Sequence, residues 1–77
     1  MISSSQIRAA KALLRWSGDD LANYSGLSLS TIRRVEAGEG IPEGQNIKTL
    51  MAIKTALESA GVEFIGSPDD RPGVRLK

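Results

Sequence analysis

Two adjacent arginines, Arg33 and Arg34, follow three hydroxyl side chains, Ser28, Ser30 and Thr31, in a stretch from Leu21 to Val35 that has no acidic residue. Such groups donate hydrogen bonds and attract negative charge, so the chemistry they offer is recognition of a polyanion. The charge distribution agrees. Met1 to Val35 carries five basic side chains (Arg8, Lys11, Arg15, Arg33, Arg34) against two acidic ones (Asp19, Asp20). Residues 36–70 carry two basic ones (Lys48, Lys54) against seven acidic ones, and Arg71, Arg75 and Lys77 close the chain. The formal net charge of +1 therefore conceals a basic N-terminal half.

Bond-making chemistry has little to work with. With no Cys and no His in 77 residues, the chain cannot supply a thiol nucleophile, a histidine base, a zinc finger or a disulfide framework. Ser17, Ser28 and Ser30 have no base to activate them, and Asp69-Asp70 beside Pro68 reads as a solvated turn, not a cation site. The expectation is a protein that is not an enzyme and uses no cofactor and no metal. No apolar run approaches the roughly 18 residues of a membrane span, and the N-terminal segment lacks the features of a signal peptide, so a cytoplasmic protein with no membrane partner is expected. Its length fits a single domain over residues 1–77. A domain this small leaves about 40% of its unfolded surface exposed, which makes association with a second copy worth expecting.

The elements that must position the basic and hydroxyl groups follow from hydrophobic spacing and punctuation. A first helix begins within Ser3 to Ser5, carries Ile7, Ala10, Leu13 and Leu14 at helical spacing, and stops at Ser17 and Gly18. A short second helix has Ser17 as N-cap, Asp19 and Asp20 in its first turn, and Gly26 at its end. Ser28 caps a third helix, Leu29 to Ala37, with Ile32 and Val35 on one face and Ser30, Arg33 and Arg34 elsewhere. Residues 39–45 read as a loop. Asn46 caps a fourth helix with the apolar set Ile47, Leu50, Ile53, Ala56 and Leu57, flanked by Met51 and Ala60 and ended by Gly61. Val62 to Ile65 and Val74 to Leu76 read as two strands joined by an eight-residue loop, a hairpin that must pack on the helices or pair across a dimer.

Ser17 to Gly38 is thus a short helix, a tight turn with a glycine and a second helix with a polar, basic face, which is the grammar of a helix-turn-helix. Ala22 supplies the small residue where the helices approach, Gly26 the turn, and Leu21, Leu27, Ile32 and Val35 the apolar anchors. The run from Ile7 to Ser17, Asp20-Leu21-Ala22, Ser25-Gly26-Leu27-Ser28, Thr31-Ile32, Glu36-x-Gly38 and the closing helix from Leu50 to Leu57 resembles the Cro/phage-repressor-like (XRE-type) helix-turn-helix family. The resemblance covers about residues 5–60. It implies a mainly α fold, a four-helix repressor-like core over residues 3–60, to which our own reading adds the short C-terminal β-hairpin over residues 62–76.

The function implied is sequence-specific binding of double-stranded DNA by a small transcriptional regulator of prokaryotic or phage-like type, working as a homodimer on a palindromic operator. Carried over residue by residue, Leu29, Ser30 and Arg34 fall where relatives often contact base edges, with Arg34 suited to the O6 and N7 of guanine; Ser30 and Thr31 can donate to bases or phosphates, and Arg33 is a further base-contact candidate with phosphate as a second target. Ser17, Gly18, Ser28, Asn46 and Lys48 fall where backbone N–H groups, hydroxyls or cations meet phosphates. Lys11 and Glu36 match a structural ion pair. The sequence departs from the pattern at Gly18, where relatives commonly have Gln, at Leu29, where many have a polar residue, and at Glu39 and Glu43, where many have basic ones. These departures sustain an alternative, a protein-interaction module such as an antitoxin-like or phage accessory subunit on the same fold. Trp16 and Tyr24 read either as partly buried core residues or as interface anchors.

Overall fold

The protein is described from a computed structural model that covers residues 2–38, 40–42 and 47–77. Four helices, α1 (Ser4–Leu14), α2 (Gly18–Ser25), α3 (Leu29–Glu36) and α4 (Ile47–Ser59), precede two strands, β1 (Val62–Ser67) and β2 (Asp70–Leu76). Among the described residues no helix is long and apolar enough to cross a membrane.

Serines start the first three helices for a common reason, since the first N–H groups of a helix have no acceptor within it. Ser3 and Gln6 form a capping box: the Ser3 hydroxyl accepts from the Gln6 N–H at 3.1 Å, and Gln6 Oε1 accepts from the Ser3 N–H at 2.9 Å. Ser17 and Asp20 repeat it at α2. At α3 the Ser28 hydroxyl accepts from the Thr31 N–H at 3.2 Å. The expected Asn46 cap of α4 lies outside the described residues, as do Glu39 and Glu43.

Helix ends differ more. The sequence reading ends α1 at Ser17 and Gly18, but α1 finishes at Leu14, where Arg15 turns left-handed at φ 57°. Gly26, at φ 74°, ends α2 as expected and donates its N–H to the Ala22 carbonyl at 3.0 Å. Helix α3 closes on Ala37 in an ordinary right-handed conformation.

Each helix contributes one face to a shared core: Ile7 and Ala10 from α1, Leu21 and Ala22 from α2, Ile32 and Val35 from α3, and Leu50, Ile53, Ala56 and Leu57 from α4. Ile2, ahead of α1, and Val62 of β1 complete it. Each fully buried Leu, Ile or Val contributes about 1.5–3 kcal/mol. Ile47, assigned to this stripe from the sequence, is 62% exposed, and Met51 beside it is 60% exposed, because only part of the wide apolar face of α4 is covered.

The hairpin is longer than its composition suggests. In place of an eight-residue loop, the strands extend to Ser67 and Asp70 and only Pro68 and Asp69 lie between them. Gly66 at φ 72° and Arg71 at φ 48° provide the left-handed residues beside the register shift that lets the strands run on. Opposed pairs Val62↔Leu76 and Phe64↔Val74 share the inner face, whereas Glu63↔Arg75 and Ile65↔Gly73 share the outer one. The inner face packs on α1 through β2 and on α4 through β1. Gln6 fastens it by donating its side-chain amide to the carbonyls of Ile65 (3.3 Å) and Gly73 (3.1 Å).

Candidate nucleic-acid interface

The α3 sequence separates its two faces cleanly. Ile32 and Val35 are fully buried against the core, so their neighbours Ser30, Arg33 and Arg34 are carried to the surface, while Leu29 and Thr31 sit half-buried at the start of the helix. Arg33 and Arg34 make no ion pair among the described residues, so both guanidinium groups present their donors outward. At the start of α3, the Ser28 and Thr31 hydroxyls lie 3.0 Å apart and share one hydrogen bond.

Leu29 has a second contact that spacing alone does not reveal. A Cβ added at Gly18 would lie 3.1 Å from Leu29 Cδ1 and 4.0 Å from Ile32 Cγ2, so the leucine occupies the space above the start of α2. The glycine and the apolar residue that depart from the family pattern are therefore one packing arrangement. At Ser17 the backbone N–H donates to Asp20 Oδ2 at 2.8 Å and the hydroxyl accepts from the Asp20 N–H at 3.1 Å, so both groups are engaged in capping α2. Asp19 and Asp20 place two carboxylates in that first turn. Lys48 is exposed in the first turn of α4, and Asn46 lies outside the described residues.

The other end of α3 is held by α1. Lys11 Nζ is 2.7 Å from Glu36 Oε1, with both side chains largely covered (17% and 13% exposed), so this cation is spent within the fold. Arg8 Nη1 donates to the carbonyls of Glu36 and Gly38, and the Ser4 hydroxyl donates to the carbonyl of Val35. Sequence reasoning missed Ser4, Gln6 and Arg8 because their partners lie 28 to 67 positions away. One signal was present: positions 4, 8 and 11 fall on one face of a helix.

Trp16 stacks on Tyr24 with ring centroids 4.5 Å apart and planes within 11°, and packs partly against the core. Tyr24 stays 67% exposed and borders, with Met51 and Lys48, an open groove of about 490 Å³ between α2 and α4. Away from α3, Arg75 donates to Glu63 Oε1 at 2.6 Å across the hairpin, and this bond holds the Glu63 carboxyl below the usual glutamate range.

No curated protein matches the chain. A helix-turn-helix family model matches residues 7–53, which takes in α1 from Ile7 onward, the α2–turn–α3 unit and the first half of α4. The capped α2, the left-handed Gly26 turn and the amphipathic α3 fall within that match, and the chain belongs to the Cro/repressor-like (XRE-type) helix-turn-helix family of DNA-binding regulators.

Proposed function

We propose that this protein is a small transcriptional regulator that reads double-stranded DNA with α3 lying in the major groove, and that it does so as a homodimer on a palindromic operator without performing chemistry. The observation that carries this reading is the α3 surface: Arg33 and Arg34 are exposed beside Ser30, without ion-pair partners among the described residues, on a helix whose opposite face is locked into the core. Arg34 donates to guanine O6 and N7, while Ser30 and Thr31 donate to bases or phosphates and Leu29 offers a thymine methyl an apolar contact. Arg33 reaches a base edge or a flanking phosphate. Ser17, Gly18, Ser28, Asn46 and Lys48 meet the backbone and set register.

Selection from a random duplex library at about 0.1 M salt tests the reading, with the R33A/R34A double variant as control. A palindrome recovered by the natural chain and lost with the control is the expected result. No enrichment by folded protein would overturn it. A second reading, a protein-interaction module, is favoured by Tyr24, Met51 and Ile47, which remain 60–67% exposed along α2 and α4, and by the carboxylates of Asp19 and Asp20 beside the expected phosphate position. Binding that shows no steep dependence on salt would support that reading.

A further inference from the structure

An α-helix leaves its last carbonyls without donors, and the usual remedy is a left-handed residue just beyond the end. Helices α1 and α2 use that remedy, through Arg15 and Gly26. Helix α3 does not, since Ala37 is right-handed and its N–H reaches only the Arg34 carbonyl, at 3.3 Å. Its end is closed from outside. The carbonyl of Val35 accepts from the Ser4 hydroxyl, those of Glu36 and Gly38 from Arg8 Nη1, and that of Gly40 from the Ser4 N–H at 2.8 Å. Arg8 Nη2 donates to Ser5 Oγ at 3.3 Å, which fixes the guanidinium plane on α1.

From this geometry we propose that Arg8, assisted by Ser4, is the C-terminal cap of α3 supplied by another helix, and that it is a positioning residue for base readout rather than a phosphate contact. The inference rests on the reading of α3 as the recognition helix. A cation at this end complements the helix dipole, and a cap borne by α1 makes the tilt of α3 depend on α1. Base-edge hydrogen bonds fail steeply with misalignment, whereas long flexible cations follow a phosphate through small displacements. Loss of the cap therefore costs sequence discrimination before it costs general DNA affinity.

The test is Arg8→Met, which keeps an apolar stem and removes the donors, measured well below its melting temperature. On the selected operator and on random duplex, the variant is expected to lose about tenfold in the ratio of the two affinities, with random-duplex affinity and the salt slope unchanged. Equal weakening on both DNAs, with a slope shallower by about one unit, would make Arg8 a phosphate contact and overturn the proposal. Without DNA, amide exchange in the last turn of α3 should accelerate about tenfold relative to α4, and an unchanged rate would also overturn it. If Arg8→Met does not fold, Arg8→Lys carries the same measurements: a smaller loss in both is expected, and none in either would refute the cap. Should the natural chain select no operator while exchange responds as expected, the functional reading fails and the cap stands.

Discussion

Arg34 and Lys48 are both exposed cations, yet they should fail differently when truncated. Arg34 sits on the face of α3 opposite Ile32 and Val35, so Arg34→Ala is expected to relax discrimination at a single base pair by about 1–3 kcal/mol. Lys48→Ala should weaken every duplex alike and reduce the salt slope by about one. Titrations against a panel of operators carrying one changed base pair at two salt concentrations separate the two patterns, and a uniform loss for Arg34→Ala would move it to the phosphates. The sequence made these outward residues legible because burial of Ile32 and Val35 dictates which neighbours face solvent. It left Leu29 half-read. Its spacing places it at the start of α3, but the contact with Gly18 pairs two helices and depends on position 18 having no side chain.

At the scale of elements, the cost of the α1 end can be measured. Arg15 is left-handed at φ 57°, a conformation that crowds a Cβ and costs a non-glycine residue about 1–2 kcal/mol, so Arg15→Gly should stabilise the fold by about 1 kcal/mol after the greater freedom of the unfolded glycine is set against it. Thermal unfolding followed by circular dichroism should rise by about 4–8 °C, and a fall would mean that the arginine side chain makes a contact worth more than the strain. The hairpin offers a pH-dependent prediction. Its Glu63 carboxyl is held below the usual glutamate range by the bond from Arg75, so this contribution to stability is present above the ordinary glutamate value and lost as pH falls through the lowered one. A carboxyl titration should therefore place the Glu63 midpoint lower in the natural chain than in Arg75→Gln, and equal midpoints would show the bond absent in solution. Helix starts were legible because serine caps act within three residues. Strand length was not, because Gly66, Pro68, Pro72 and Gly73 look like loop and only the left-handed Gly66 and Arg71 let pairing continue to Ser67 and Asp70.

At the scale of the whole molecule, the hairpin is committed on one face and free on the other. Val62 is fully buried and Phe64 and Val74 pack on the helical core, so removing the hairpin would open that core rather than merely detach an interface. A substitution on the outer face is the cleaner probe. The bond from the Lys77 N–H to the Gly61 carbonyl makes that pair a bonded one, so alternation along the ladder turns the backbone groups of Phe64 toward the outer edge of β1, those of Val62 being covered by the core. Strand β1 has no proline, whereas Pro72 deprives β2 of a donor on its own edge. Of the two edges, β1 is therefore better suited to pair with a second copy, and Ile65, 40% exposed opposite Gly73, would lie at that seam. Ile65→Lys should shift the sedimentation equilibrium at least tenfold toward monomer while leaving the circular dichroism spectrum unchanged. If Met51→Lys does so instead, the dimer forms over the groove between α2 and α4, and the spacing of operator half-sites would be set by that face.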